Sequence, residues 1–205
     1  MPSQQYSIAK PVAYQFKIRL ADAEPPIWRR ILVPDGTLDD LHGWIQTAMG
    51  WTNSLLRQFQ LGREVYRDPE LLDDGFEDVR FIDSLKTALA ELFDTNRAPK
   101  LFNHKYDFGE GWPHNVEFEG IQQAPRGKKP PWRLAGERCC PPEDVGSLCG
   151  NEEFLSAIGD PERKGTRIIS RGKGELSIRK GSAWPRRPAP CATVSSIGAA
   201  SDRPL

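Results

Sequence analysis

His42, His104 and His114 are the three histidines of the chain, and they set the limits of its acid–base and metal chemistry. A catalytic or metal role needs such rings to converge with carboxylates or thiols. His42 directly follows Leu41 on a helical stripe and His104 sits in an alternating strand pattern, so packing is the preferred reading of both. His114 shares a loop-like stretch with Asp107, Glu110 and Trp112, where imidazole and carboxylates can meet near a hairpin tip. Even there a structural hydrogen bond is preferred. Glu143 and Asp144 follow Pro141 and Pro142, which stiffen the approach and can fix a carboxylate pair against Arg29, Arg30 or Arg138.

Other chemistries are excluded by context. Asp107-Phe108-Gly109 has the letters of a kinase motif, without the Gly-rich loop, strand lysine and catalytic loop that kinase chemistry requires. Gly109 and Gly111 resemble half of a nucleotide fingerprint but lie in a hairpin and open no helix. The carboxylates Asp68, Glu70, Asp73, Asp74, Glu77 and Asp78 lack the ligand order and glycine of a calcium loop, so a solvated acidic loop is expected. Cys139, Cys140, Cys149 and Cys191 show no zinc spacing, and an adjacent pair bridges poorly; reduced thiols follow. No nucleophile elbow or serine–histidine–aspartate arrangement is present. Neither metal nor cofactor is implied, and the reading leans away from an enzyme.

The elements that must position these residues are legible from periodicity. Val12 to Leu20 alternates apolar and polar residues and reads as an antiparallel strand; Ile27 to Val33 returns after a turn. Thr37 caps a helix carrying Leu38, Leu41, Ile45, Ala48 and Met49, with Asp40 in a capping-box position and Gly50 as its end. Gln58 to Leu61 and Glu64 to Tyr66 are short strands, and Val79 to Ile82 is a brief one. Asp83 is expected to cap a helix through about Phe93 with a Leu85, Ala88, Leu89 and Leu92 stripe. Leu101 to Phe108 and Asn115 to Ile121 form a second hairpin around a loop at 109–114. Residues 122–150 read as irregular, and Glu152 to Ile158 as a short helix.

Composition bounds the whole. The 205 residues, 38% hydrophobic with six Trp and nine Phe, suit one α+β domain with an antiparallel sheet and flanking helices. Residues 1–163 hold 19 basic against 26 acidic residues, net −7, and residues 164–205 hold 9 against 2, net +7. The second part, rich in Gly, Ser, Pro and Arg, has neither period and is expected to be disordered. An acidic body without a basic helix argues against nucleic-acid binding by the folded part, leaving weak binding through the tail. No apolar run reaches membrane length and Met1 to Lys10 has no signal-peptide core, so a soluble cytoplasmic protein without membrane contact is the default.

Taken in chain order, Pro26-Ile27-Trp28-Arg29-Arg30-Ile31, Leu38-Asp39-Asp40-Leu41-His42 with Ile45-Gln46 and Gly50-Trp51, Tyr106 through His114, and Gly136-Glu137-Arg138 with Pro141 through Gly146 resemble the plasmid pRiA4b ORF-3-like family over about residues 10–163. Some members are labelled putative transposon resolvase (TnpR), although no activated serine among arginines can be placed here. The resemblance implies an α+β domain on an antiparallel sheet and carries no established activity. Where the family usually has His-Leu-His, this chain has Leu55-Leu56-Arg57, which removes two imidazoles. Past Asp160-Pro161 the tail departs from the family, as a reading-frame change or unrelated extension near Lys164 would produce.

The expectation is therefore an accessory or binding domain from a plasmid or mobile-element setting, with Trp28, Arg29, Arg30, His42, Trp51, Asp107, Trp112, His114, Glu143 and Asp144 shaping one surface or pocket for a protein or small molecule. A resolvase-like DNA recombination protein is the alternative, and a metal-dependent hydrolase around His42, His114, Asp107 and Glu143 ranks below it.

Overall fold

The computed structural model describes residues 11–69, 81–93, 101–127 and 129–159. Most of the acidic run after Asp68 and all of residues 164–205 lie outside them. The described chain is α+β: one sheet of eight strands with three helices. The strands are β1 (Val12–Leu20), β2 (Trp28–Pro34), β3 (Arg57–Leu61), β4 (Glu64–Arg67), β5 (Ile82–Asp83), β6 (Leu101–Tyr106), β7 (Trp112–Gln123) and β8 (Trp132–Glu137), in the order β5-β4-β3-β6-β7-β1-β2-β8. All neighbours are antiparallel except β4 and β5, which run parallel.

Alternation on the central strands decides which face is dry. Tyr14, Phe16, Ile18 and Leu20 of β1 and Trp112, His114, Val116 and Phe118 of β7 are buried, whereas Gln15, Lys17, Arg19, Asn115, Glu117 and Glu119 point the other way. The helix α1 (Leu38–Met49) adds Leu38, Leu41, Ile45 and Met49 to the same core. It starts where the sequence says it should: Thr37 and Asp40 form a reciprocal capping box, and Gly50, at φ 84°, ends it in the left-handed region that costs glycine nothing.

Four expectations need correction. Asp83 caps a turn rather than a long helix: Leu85 N bonds its carboxylate, and α2 spans only Leu89–Leu92. Thr87 and Ala88 are drawn into extended pairing with the chain ahead of α1, through Leu38 N to Thr87 O and Leu89 N to Gly36 O, which competes with helix formation. In the second hairpin Asp107, at φ 54°, and Gly111, at φ 74°, close the turn early, so Trp112, Pro113 and His114 belong to β7 and not to a loop. Between 122 and 150, β8 forms as a further strand beside β2. Finally, α3 (Ser147–Gly159) is longer than the expected helix.

The first turn of α3 lies hard against the chain before it, since a Cβ at Gly150 would sit 1.9 Å from the carbonyl oxygen of Val145. Neither main-chain group can yield cheaply. Gly150→Ala is expected to destabilise the protein by about 1–3 kcal/mol through this overpacking, read as a lower urea midpoint with an unchanged slope. An unaltered midpoint would mean that the turn relaxes freely.

Candidate functional site

The three histidines meet. His42 lies on the inner ridge of α1, His104 on β6 and His114 directly opposite it on β7, and all three are at most 1% exposed. His42 Nδ1 is 2.9 Å from His104 Nε2, and His104 Nδ1 is 3.3 Å from His114 Nδ1. At the outer end His42 Nε2 bonds Asn53 Oδ1. The contacts make a chain in which His104 uses both nitrogens, rather than three rings aimed at one point, and among the described residues no group of three His, Cys, Asp or Glu side chains is arranged to hold a metal ion. Burial pushes His42 down to about 3 and His114 down to about 4, and lowers His104 well below the usual range. The positive charge of Arg57, itself paired with Asp39 and Asp68, lowers His42 and His104 further. At neutral pH the rings are uncharged.

Aromatic rings wall this chain on one side. Trp51 stacks on Tyr106 at 5.6 Å and touches Trp112 at 5.4 Å and His114 at 5.3 Å. The diproline bend closes over them. Trp51 Nε1 donates to Pro141 O at 2.9 Å and Trp112 Nε1 to Glu143 O at 3.3 Å. The Glu143 carboxylate accepts the Tyr106 hydroxyl on one oxygen, and the Thr52 N–H and hydroxyl on the other. Burial and the Glu143 hydrogen bond push the Tyr106 phenol up to about 12.

Two further signature carboxylates serve the main chain. Asp107 accepts from Gly109 N at 2.9 Å, and Glu110 accepts from Gly146 N and Ser147 N at the start of α3. Arg29, 2% exposed, donates to the carbonyls of Ala48, Trp28 and Glu137 and to Cys140 Sγ at 3.0 Å.

The ten expected residues therefore divide. Arg29, His42, Trp51, Trp112, His114 and Glu143 are linked on the core side at one end of the sheet, with Asp107 at the adjoining hairpin turn. Trp28 and Arg30 stand on the opposite face, where Lys17 and Arg30 approach the Trp28 ring at 5.4 and 5.5 Å and Arg30 forms two 2.6 Å bonds to Glu119. The reason is the strand period: within Trp28-Arg29-Arg30 only the middle residue faces the core. Asp144 is exposed. Glu143 and Asp107 make no hydrogen bond to an imidazole among the described contacts. Reasoning from the sequence left His104, Tyr106, Asn53 and Gln46 off the site. Strand alternation, which puts Phe102, His104 and Tyr106 on one face, was the signal for two of them.

Comparison with known proteins agrees with this architecture. A crystal structure of a protein of unknown function, MM3350 from Methanosarcina mazei Go1, matches with a TM-score of 0.64 and 30% identity over 76% of this chain and 85% of that one. The uncharacterized protein y4hQ of Sinorhizobium fredii (strain NBRC 101917 / NGR234) is 38% identical over 149 residues, 72% of this chain and 73% of that protein. A family model described as plasmid pRiA4b ORF-3-like protein matches residues 12–172, reaching past the expected boundary at 163. On that match, which spans well over half of its length, the chain belongs to the plasmid pRiA4b ORF-3-like family.

Proposed function

We propose that this protein is an accessory domain of a plasmid or mobile element that acts in the cytoplasm by binding and not by turnover. In this reading residues 1–163 form a single domain with helices flanking its sheet, and 164–205 is a separate basic extension. The observation that supports it is the use of the signature's own polar groups: Asp107, Glu110 and Glu143 receive main-chain N–H or hydroxyl donors within the fold, and Arg29 holds three carbonyls and a sulfur. Such groups brace a framework. The partner then meets what stays accessible, foremost the opposite sheet face, where Lys17 and the Arg30–Glu119 pair flank the Trp28 indole and suit a mixed polar and aromatic protein surface.

The charge division favours one second reading, DNA contact in a resolvase-like reaction through the net +7 tail. Full-length protein and a chain ending at residue 163 should be titrated against duplex DNA over a range of salt, with strand cleavage followed in parallel. The accessory reading expects no cleavage, no covalent protein–DNA adduct, and at most a salt-sensitive association lost with the tail. An adduct abolished by one serine substitution would overturn it. A photo-crosslinking residue at position 28 is expected to yield one discrete protein adduct in cells carrying the element.

A further inference from the structure

Among the described residues, Arg29 is a buried cation that no carboxylate answers. Its side chain, 2% exposed, donates to the carbonyl oxygens of Ala48, Trp28 and Glu137 and, from Nη2, to Cys140 Sγ at 3.0 Å. Carbonyls supply dipoles and no net charge, whereas a buried guanidinium is ordinarily paired with an anion. The carboxylates nearest in the chain are engaged elsewhere. Glu137 Oε2 accepts from Trp28 Nε1 on the opposite face, Glu143 is turned to Tyr106 and Thr52, and Asp144 is exposed. A second guanidinium adds to the positive side. At Gly136 on β8 a Cβ would lie 2.9 Å from Arg29 Cδ and 3.3 Å from Arg133 Nη2, so the bare glycine is what admits both side chains. From α1 comes Met49, a neutral thioether whose sulfur is 3.2 Å from Cys140 Sγ. The Cys140 sulfur is thus the one hydrogen-bond partner of Arg29, among the described residues, that can carry negative charge.

We propose that Cys140 is a thiolate held by Arg29 and a modification site, oxidised by hydroperoxides to a lasting sulfenic acid. The competing arrangement is a neutral thiol donating to Met49 Sδ. That joins a weak donor to a weak acceptor and leaves the guanidinium without an anion, so the thiolate wins. A thiolate beside arginine is the reactive form of cysteine. Its sulfur attacks the O–H oxygen of the hydroperoxide: an S–O bond forms, the O–O bond breaks, and the sulfur gives two electrons to the peroxide. The leaving oxygen takes a proton from water and departs as water or an alcohol. Closure onto Cys139 is opposed by geometry. Neighbouring Cα atoms lie about 3.8 Å apart across this trans peptide, whereas a disulfide spans about 4.4 Å or more.

Exposure and reactivity are thereby set against each other, since Cys139 and Cys149 are exposed and Cys140 is half-buried. Alkylation of the full-length protein by iodoacetamide, mapped residue by residue with tandem mass spectrometry, reads the difference as a pH profile, whose shape is independent of access. From pH 6 to pH 8 the rate at Cys140 is expected to change by less than about twofold in the folded protein. In urea the same cysteine should speed up about 50–100-fold over that range, as an ordinary thiol titrating near 8.5 does. Hydrogen peroxide followed by dimedone should label Cys140 in preference to the exposed Cys139 and Cys149. In Arg29→Gln the Cys140 profile should take the shape seen in urea; where that variant fails to fold, the unsubstituted chain decides alone. A folded-state rate at Cys140 that climbs as steeply as in urea overturns the proposal. So does a Cys140 that stays unalkylated in the folded protein, or dimedone found on Cys139 or Cys149 and not on Cys140.

Discussion

Acidification from pH 7 toward pH 4 is expected to unfold this protein, with the loss beginning near pH 6.5, well above the range in which carboxylates titrate. The cause is the buried imidazole chain. In the unfolded chain each histidine takes a proton near pH 6.5, whereas in the fold burial holds His42 at about 3 and His114 at about 4, and His104 is lowered as well. Between those limits the unfolded state binds more protons, so stability rises with pH, is complete above 6.5, and is lost as pH falls. Each histidine contributes a slope of about 1.4 kcal/mol per pH unit, and three together about 4. Two such units remove about 8 kcal/mol, more than half of the stability of even the most stable ordinary domain and all of that of one near the lower end of the usual range of about 5–15 kcal/mol. Urea melts at pH 7.5, 6.0 and 5.0 check this, with the midpoint falling steeply at each step. His114→Phe removes one of the three rings and should flatten the slope by about a third. A midpoint that stays level down to pH 5 would show that the rings accept protons without leaving the core.

How much of this was legible beforehand depended on the kind of signal. Period-two and helical patterns are local, and they found β1, β2, α1 and the capping box at Thr37 and Asp40, because the residues that make those elements also record them. Elements chosen by distant partners were misread. Thr87 and Ala88 follow the chain before α1, which is far away in sequence, and β8 exists because β2 offers it an edge. The site shows the same split. That Trp51, Trp112 and the diproline bend occur in order was visible, but their bonds span 31 to 90 positions and no spacing rule predicts them. His104 was read as packing for a related reason. An isolated histidine on a strand reads as packing, and only register brings it opposite His114 and beneath His42.

Trp112→Ala is expected to be the most damaging single truncation in this region, while Trp112→Phe should be tolerated, and the contrast follows from what the indole does. Trp112 is fully buried, packs on Trp51, and reaches the bend through its N–H. Emptying a site of that size costs about 3–5 kcal/mol, which is about a fifth or more of an ordinary domain's stability. Phenylalanine keeps most of the ring contact with Trp51 and gives up only a 3.3 Å hydrogen bond, worth about 1 kcal/mol. The effects should also differ in location. Trp51 and Glu143 still hold the bend at Pro141 and Tyr106 in both variants, and Val145 belongs to the core. With a cavity beneath them these contacts lose their backing in the alanine variant alone, so amides from 140 to 159 should exchange faster there, ahead of those in β1 and β7. Urea midpoints and hydrogen exchange on the two variants together decide the matter. Equal losses for both would assign the energy to the N–H donor. An alanine variant with uniformly faster exchange would make Trp112 part of the general core, with no special hold on the arm that ends in α3.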